Sequence, residues 1–531
     1  MKRIVVWMLV LMLSLSAASG FCQAETAPEP ITLTAFLDSL PNPANWTWGQ
    51  DPTSQRITEL TGVSLEITNA GTTDHTELNT LLASGMELPD FIITDGHTTL
   101  RRMMVDQGFV LPVSDLADQY APTFWDELPY NMDKVYQEAD GKMYCVANWF
   151  GDEKRHDDVL LNNFAQVSVS LRIDLYEEMG RPEVSTFEQW KDYLVSVKEK
   201  HPEIGHVLFD KEPNNPRVNQ SLINVLARMY GAESNNFSIG EDNSVTMNFR
   251  TEGYKKALSR YNELYRAGLI NPETFVYKTE QKKSVLADQD IACYVGDYWS
   301  LIEWMDELFE LRFETIDYPI PTDGVAAEEF FIHDDYYDIG GSACVFITKD
   351  CKAPDRAIQY LTFLLTEEGQ ILQRYGVEGI AWEPDELGRP KSTELKTKTE
   401  AESFDTLQRD LGVYNYQFSW LNMCWANAYG AHNTYQVWPG MMQDIEKIQD
   451  RTRNEMLYDM VAALSDEDGL VLQQQINDLW DRSISSIVLS DTDEQFEQAY
   501  QNFLSDAERL GVDRLEEYYE ANLADLRSRG L

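Results

Sequence analysis

The order of apolar segments between residues 31 and 96 is the feature that most restricts the fold of this chain. "ITLTAF" (31–36), "VSLEIT" (63–68) and "PDFIITDG" (89–96) have the alternating or continuous apolar patterns of β-strands. Two segments with helical spacing lie between them, "TSQRITELTG", which ends at Gly62, and "HTELNTLLASGM". Strands that alternate with helices of these lengths predict a parallel sheet with crossover helices.

The predicted sheet also indicates where a ligand would bind. In such sheets, ligands lie beyond the carboxyl ends of the strands. Asp95 follows one predicted strand, and Asn148 and Trp149 follow the apolar run in "DGKMYCVANW". Asp95 would either hydrogen-bond a ligand hydroxyl or cap the next helix. Trp149 beside Asn148 would form either one wall of a binding site or part of a hinge or core.

A second set of strand and helix patterns begins after about residue 155. Strand-like residues lead into Arg172, and "STFEQWKDYLVSVKEKHP" predicts a helix capped by Ser185 or Thr186, with Glu188 near the capping-box position. "DIACYVGDYWS" (290–300) predicts a buried strand that opens into polar and aromatic residues.

Later segments are mainly helical by pattern. Residues 353–382 predict two helical pieces joined by Glu367-Glu368-Gly369, and the last hundred residues predict charged helices. We interpret Trp190, Tyr261 and Tyr265, which lie at helical spacing, as packing residues.

The charge of the chain excludes several classes of partner. Its 531 residues include 89 acidic and 43 basic side chains, which gives a formal net charge of −46. Such a surface repels phosphate backbones and anionic membranes, so we expect no nucleic-acid binding. The length allows three or four ordinary domains or two large lobes.

The N-terminus predicts export. Lys2 and Arg3 precede an apolar stretch that ends near Leu15 and is followed by small residues, as in a secretory signal peptide. Cys22 would be lipidated as the first residue of a mature lipoprotein, or cleavage would follow Ala24. No later segment reaches about 18 uninterrupted apolar residues, so we expect membrane contact only through this possible anchor.

The cysteine and histidine spacing predicts neither disulfides nor a metal site. The five cysteines after Cys22 form no C-x-x-C motif, and we interpret them as free thiols. They are Cys145, Cys293, Cys344, Cys351 and Cys424. His201 and His206 flank a proline at a spacing that does not favour metal binding, and "DEDG" (466–469) is interpreted as a turn rather than a calcium loop.

The chain lacks the common catalytic motifs G-x-S-x-G, H-E-x-x-H, the P-loop and G-x-G-x-x-G. We therefore expect no enzyme, no catalytic residues and no cofactor. A secreted glycoside hydrolase is the less favoured alternative, because 89 acidic residues supply many carboxylate pairs.

Six segments in order resemble one family, the extracellular solute-binding proteins of bacterial ABC importers, in their large lipoprotein branch associated with oligosaccharide uptake. The segments are "LASGMELPDFIITDG", "DGKMYCVANW", "SLRIDLYEEMGRPEVSTFEQWKDYL", "YKKALSRYNELYRAGLINPETF", "TEEGQILQRYGVEGIAW" and "FEQAYQNFLSDAERLGVDRLEEYYEANLADL". Two positions depart from the family pattern. Phe21 stands where lipoprotein processing favours a small residue, and Leu175 stands where relatives commonly have tryptophan after Arg-x-Asp.

The resemblance implies a two-lobed α/β periplasmic-binding-protein-like fold with hinge segments, an interlobe cleft and a helical C-terminal region. It also implies that the protein delivers its ligand to a membrane permease. We expect an exported protein that is a monomer. We expect the following division: 1–24 signal peptide, 25–150 and about 300–350 lobe 1, about 155–298 and 351–440 lobe 2, and 441–531 helices packed on the lobes.

Loop aromatics and polar residues are the candidate sugar ligands, because aromatic rings stack on sugar faces and fixed polar groups bind hydroxyls. The candidates are Trp46, Trp48, Asp95, Asn148, Trp149, Arg172, Asp297, Tyr298, Trp299, Glu378, Trp382 and Trp425. Each tryptophan has packing as its alternative, and for Arg172 the alternative is an interlobe salt bridge. A peptide, amino-acid or sensory receptor is the alternative function. Neutral glycans are preferred, because an acidic surface disfavours anionic ones.

Overall fold

A computed structural model of the protein shows two α/β units, each with its own hydrophobic core. It describes residues 29–38, 46–71, 75–94, 99–128, 132–138, 140–150, 167–209, 221–234, 236–277, 281, 284–285, 287–297, 312–334, 343–385, 388, 390–413, 422–423, 452–454, 456–462 and 466–531.

The strands, in chain order, are β1 (Ile31–Leu37), β2 (Val63–Asn69), β3 (Phe91–Thr94), β4 (Cys145–Ala147), β5 (Trp149–Phe150), β6 (Val167–Arg172), β7 (His206–Phe209), β8 (Phe237–Ile239), β9 (Val245–Met247), β10 (Ile291–Asp297), β11 (Phe313–Ile316), β12 (Ile332–Asp334), β13 (Cys344–Ile347), β14 (Trp382–Pro384), β15 (Pro390–Ser392), β16 (Asn422–Met423) and β17 (Thr452–Asn454).

The α-helices are α1 (Pro52–Thr61), α2 (Thr76–Ala83), α3 (Thr99–Asp106), α4 (Val113–Tyr120), α5 (Phe124–Glu127), α6 (Met132–Val135), α7 (Ile173–Glu178), α8 (Phe187–Lys200), α9 (Ser221–Arg228), α10 (Glu252–Arg266), α11 (Pro354–Leu365), α12 (Glu367–Tyr375), α13 (Glu394–Glu402), α14 (Phe404–Leu411), α15 (Met456–Ala462), α16 (Glu467–Val488), α17 (Asp493–Leu510) and α18 (Val512–Ser528). Short 3₁₀ helices cover Asn248–Arg250, Pro272–Val276 and Ala327–Glu329.

The first unit is built on a five-stranded sheet in the order β2-β1-β3-β13-β4. Strands β2, β1 and β3 are parallel, which confirms the arrangement predicted from residues 31–96. Strand β13 runs antiparallel to both β3 and β4. This strand follows the second unit in sequence, and the local strand–helix pattern carried no sign of its insertion.

Asp90 joins three segments of this sheet. Its Oδ2 accepts hydrogen bonds from the amide and hydroxyl of Thr34 in β1, at 2.7 and 2.8 Å, and its Oδ1 accepts from the amide of Lys352 at 2.7 Å. Burial raises the pKa of this carboxyl, but the hydrogen bonds from Thr34 and Lys352 outweigh it, so the pKa lies below its usual value.

The second unit is built on a four-stranded sheet in the order β11-β6-β10-β7. Strand β6 is antiparallel to β10 and β11, and β7 is parallel to β10. Trp190 and Tyr261 are fully buried in its core and Tyr265 packs against that core, which confirms their predicted packing role.

Two helix starts differ in detail from the predicted ones. Thr186 caps α8 in a capping box with Gln189 rather than Glu188. Asp466 does not belong to a simple turn: its side chain accepts from the amide of Gly469 and caps the 22-residue helix α16. In the sequence, Asp466 followed three residues later by Gly469 is equally typical of a turn and of a helix cap. Only the long helix that follows distinguishes the cap from the turn.

The predicted helical C-terminal region is present as α16, α17 and α18, which belong to the second core. Glu516 and Glu520 of α18 accept hydrogen bonds from the amides of Met247 and Val245 in β9, at 2.8 and 3.0 Å. These carboxylates cover the edge of a two-stranded sheet.

The expected division into lobes differs from the structure at two places. Helices α11 and α12, expected in lobe 2, contribute core residues such as Ile358 and Leu372 to the first unit. Strand β11, expected in lobe 1, pairs with β6 in the second sheet. The reason is that an amphipathic pattern shows that a helix covers a sheet, but not which sheet it covers.

The segments that connect the two units pair with one another. Strand β5, just after β4, pairs in parallel with β16, and β12, between β11 and β13, pairs in parallel with β17. In addition, the Arg529 guanidinium donates to the carbonyl of Gln137 in the first unit, at 2.9 Å. The described parts of the connections thus include two pairs of short hydrogen-bonded strands.

The substitution Asp90→Asn should destabilise the first unit by about 2 to 4 kcal/mol at neutral pH. It removes the charge-assisted hydrogen bonds that the Asp90 carboxylate accepts from Thr34 and Lys352. A carboxyl whose folded pKa is lowered stabilises above its unfolded pKa, and this stability is lost as the pH falls through the folded pKa. The difference in melting temperature between wild type and variant, followed by calorimetry, should therefore shrink below about pH 4. The exposed Glu66→Gln is the matched control. A difference that stays constant down to the acid transition would contradict this role.

Candidate functional site

The register of the first sheet brings several strand ends to one edge. Cys344 at the start of β13 lies opposite Thr94 at the end of β3 and opposite Ala147 at the end of β4. The end of parallel β1 lies at the same edge, because Leu37 pairs with Ile93. Polar side chains occur on or just beyond these ends. We call this set the polar edge, and it comprises Asp38, His75, Thr94 and Asn148.

Asp38 lies at the centre of the polar edge and its side chain is fully buried. Its Oδ2 accepts a hydrogen bond from the Thr94 hydroxyl at 2.6 Å and contacts Nδ1 of His75 at 2.5 Å. Its Oδ1 is buried and has no hydrogen-bond partner among the described residues. A buried acceptor left unpaired costs about 1 to 3 kcal/mol, so Asp38 has an unused capacity to bind a donor.

His75 reaches Asp38 from the start of helix α2. Its backbone is in the left-handed region, with φ at 61°, which is uncommon for a residue other than glycine. Its side chain is 26% exposed, so the ring touches buried Asp38 on one side and solvent on the other.

Asn148 extends the pairing of β4 and β13 beyond the last ladder residue. Its amide donates to the carbonyl of Ala343 at 2.9 Å, and its Oδ1 accepts from the amide of Ala343 at 3.0 Å. The side-chain oxygen therefore has a structural role, and the side-chain nitrogen is the group suited to donate to a ligand. The backbone of Trp149 pairs with that of Asn422 in one of the connections between the units.

Trp46 and Trp48 pack in the first core. Trp46 is 8% exposed and its indole nitrogen donates to Asp51 at 3.0 Å, while that of Trp48 donates to Thr58 at 2.8 Å. Asp51 also caps α1 by accepting from the amide of Ser54. These bonds fix the loop to α1 and favour packing over ligand stacking for both tryptophans.

Trp382 has a similar environment at the start of β14. It is 9% exposed, its indole nitrogen donates to the carbonyl of Gly376 at 2.9 Å, and its ring joins a small core with Leu407 and Leu411. Glu378 forms an isolated backbone bridge with Trp382. Both residues therefore stabilise a local turn and hairpin.

Arg172 lies at the opposite edge of the second sheet from Asp297. Asp297 pairs with Val167 at the start of β6, whereas Arg172 is at its end, five residues or about 17 Å away. Its guanidinium binds both carboxylate oxygens of Asp174, at 2.8 and 2.9 Å, and donates to the carbonyl of Gln289. The Arg172 hydrogen bond holds the pKa of Asp174 below its usual value against the opposing effect of burial. The alternative of an interlobe salt bridge for Arg172 is wrong, because its carboxylate partner lies two residues away.

Several candidates lie outside the described residues and stay predictions. They are Cys22, Asp95, Tyr298, Trp299 and Trp425, together with the side chains of Trp149 and Asp297.

The four described cysteines, Cys145, Cys293, Cys344 and Cys351, are free thiols. Burial raises the pKa of Cys351 to about 12, so this thiol is protonated and unreactive at neutral pH. Within the described part of the chain, no group of three or more His, Cys, Asp or Glu side chains is arranged to hold a metal ion. None of the described helices has both the length and the apolar character needed to cross a membrane.

The two units and their paired connections form the fold of extracellular solute-binding proteins. The solute-binding protein from Bifidobacterium longum subsp. infantis superposes with a TM-score of 0.66 at 12% identity, over 94% of this chain and 99% of that chain. FusA of Streptococcus pneumoniae, solved in complex with kestose, superposes with a TM-score of 0.62 at 17% identity, over 94% and 100% of the two chains. The predicted fold class is confirmed.

The sequence is also similar, at low identity, to described proteins. No family model matches the chain. It is 25% identical over 253 residues to FusA, described as a fructooligosaccharide ABC transporter substrate-binding protein, and this match covers 45% of each protein. It is 23% identical over 377 residues to lipoprotein LipO of Bacillus subtilis, covering 68% of this chain and 69% of that one. The sequence match to FusA thus spans less than half of its length.

Sequence reasoning missed Asp38 and His75. Asp38 follows the first predicted strand directly, so the rule that singled out Asp95 would have found it too. His75 gave no such signal, because it approaches Asp38 only when two parallel strands are side by side.

The substitution Arg172→Met should lower the melting temperature and leave ligand affinity unchanged within about two-fold. The lost hydrogen bonds to Asp174 and Gln289 lie at the far edge of the second sheet, and each is worth about 1 to 3 kcal/mol. Calorimetry and ligand titration of the same preparation check the two parts. A large loss of affinity with an unchanged melting temperature would return Arg172 to the binding site.

Proposed function

We propose that this protein is the extracellular substrate-binding component of an ABC transporter, which captures an oligosaccharide between its two units and delivers it to a membrane permease. The observation that carries the proposal is the polar edge, where a buried carboxylate oxygen has no described partner at the carboxyl ends of parallel strands. The solute-binding protein fold and the similarity to FusA support it.

The path of the chain supports binding between the units. The chain leaves the first sheet after β4 and returns at β13, both at the polar edge. It enters the second sheet at Val167 and leaves it after Ile316, at the edge that also holds Asp297. The connections therefore join these two edges, and a ligand that touches both would favour a closed arrangement.

Binding is favoured over catalysis. Among the described residues, the polar edge supplies one carboxylate, whereas glycoside hydrolysis ordinarily needs two, about 5 to 10 Å apart. FusA and the B. longum protein are both described as binding proteins. A role as a non-enzyme fits this arrangement.

An uncharged glycan is favoured over a peptide. The part-exposed His75 ring offers a hydrogen-bond acceptor to a hydroxyl group, and the net charge of −46 repels anionic ligands. A free peptide carboxylate would need a cationic anchor, and the guanidinium of Arg172 is occupied by Asp174. Export, attachment through Cys22 and a monomeric state complete the proposal, and the lipoprotein description of LipO supports the anchor.

The proposed function is tested by a thermal-shift screen of the mature protein against short neutral fructo-, galacto- and manno-oligosaccharides, with peptides and amino acids on the same plate. A ligand at one hundred times its Kd stabilises by about 2.7 kcal/mol, so one glycan series should raise the melting temperature clearly. Shifts with peptides alone would replace the carbohydrate assignment with a peptide receptor. No shift with any compound would contradict the proposed ligand classes.

Trp149→Ala should weaken binding of the active glycan by about ten-fold, because an aromatic stacking contact contributes roughly 0.5 to 1.5 kcal/mol beyond the area that it buries. Trp125→Ala is the matched control, since Trp125 is exposed on helix α5 and bonds Asp118. Isothermal titration measures both affinities. Equal affinities in two folded variants would remove Trp149 from the site.

A further inference from the structure

We propose that His75 is a ligand-contacting residue, whose Nε2 accepts a hydrogen bond from a hydroxyl group of the bound glycan, and that Asp38 is the positioning residue that orients its ring. This inference rests on the proposed function and deepens it, since it identifies Nε2 of His75 as an atom that binds one hydroxyl group of the ligand.

The Asp38 carboxylate determines which ring nitrogen carries the proton. A carboxylate only accepts hydrogen bonds, so the 2.5 Å contact with Nδ1 requires that Nδ1 donates. In the neutral ring, Nε2 is then the acceptor. The Thr94 hydroxyl donates to the same Asp38 oxygen and fixes the carboxylate in turn. The pair thus presents a defined acceptor rather than a freely rotating imidazole.

The backbone at His75 is held in a conformation that is uncommon for residues other than glycine, although histidine adopts it more often than most. A φ of 61° lies in the left-handed region, where a glycine would be accommodated without steric cost. Such strain persists where surrounding structure over-determines it, and it concentrates at binding and catalytic sites. Here the side chain gives no hydrogen bond to the start of α2 that would explain the residue as a cap. We infer that the left-handed backbone of His75 places its ring in contact with Asp38.

His75 lies at the polar edge, where its Nε2 acceptor would face a ligand. Asp38 and Thr94 lie at the carboxyl ends of β1 and β3, where ligands of α/β sheets bind. The imidazole of His75 contacts Asp38 there and is partly exposed to solvent. The second Asp38 oxygen, buried and without a described partner, adds negative potential to the same place. Donors are therefore favoured there, and a neutral sugar presents hydroxyl donors without bringing a charge.

The decisive variant is His75→Gly, because glycine suits the left-handed backbone and so separates a binding role from a folding role. The glycan that gives the largest shift in the screen is titrated into wild type, His75→Gly, His75→Gln and Asp38→Asn, and the melting temperature of each free protein is recorded. His201→Gln is the control, since that imidazole bonds Glu178 and Glu203 in the second unit.

We expect His75→Gly to fold with a melting temperature near or moderately below that of wild type, because glycine relieves the backbone at this position but Asp38 loses a hydrogen-bond donor. It should bind about ten-fold more weakly, which is the size of one net hydrogen bond. Asp38→Asn should weaken binding in the same direction, while His201→Gln should not. Monodeoxy analogues of the glycan identify the hydroxyl: one of them should bind wild type about ten-fold more weakly, yet bind His75→Gly no more weakly than the parent glycan.

The outcomes separate the two proposals. Wild-type binding of a glycan with unchanged affinity in a folded His75→Gly overturns the role of His75 and leaves the oligosaccharide-binding function in place. The role of His75 is also overturned if His75→Gly loses the same affinity, relative to wild type, for the parent glycan and for every monodeoxy analogue. In that case no single hydroxyl group depends on His75. Failure of the wild type to bind any glycan overturns the proposed function, and this inference with it.

Discussion

The antiparallel pairing of β13 between β3 and β4 is the constraint on which the rest of the structure depends. It gives β4 its partner in the first sheet, and Asn148 extends that pairing with its own side chain. Because β4 ends and β13 begins at the same edge, the chain must leave and re-enter the first unit there. The polar edge and the connections between the units are therefore neighbours by topology.

The same topology separates structural from functional polar groups. Asp90 and Arg172 are both buried and charged, but each has a full set of close partners within its own unit. Asp38 is also buried, and one of its oxygens has no described partner. Its position at a strand end makes Asp38 a candidate for ligand binding, whereas the partners of Asp90 and Arg172 give those residues structural roles.

The sequence predicted local elements well and long-range pairing poorly. The strands and helices between residues 31 and 94, the long helix α10 and the charged C-terminal helices follow from hydrophobic period, caps and glycine stops. The attachment of α11 and α12 to the first core was not predictable in this way. Neither was the pairing of β13 with both β3 and β4, although the expected division placed its residues in lobe 1. Both depend on contacts between residues far apart in the chain, which the local hydrophobic period does not record.

The same limit applies to the site. The position of Asn148 at the end of β4 was predictable because a strand end is visible in the sequence. The contact between His75 and Asp38 was not, because it joins residues 37 positions apart. Tryptophans in loops were a weaker guide. Trp46, Trp48 and Trp382 looked available for stacking, but each uses its indole nitrogen to fix its own loop, to Asp51, Thr58 and Gly376 respectively.

The most direct test of the central claim is a crystal structure of the protein with the neutral oligosaccharide that most stabilises it. We predict that the glycan lies between the two units, with a hydroxyl within hydrogen-bonding distance of His75 or Asp38. A glycan bound elsewhere, for example at the far edge of the second sheet near Arg172, would contradict the account.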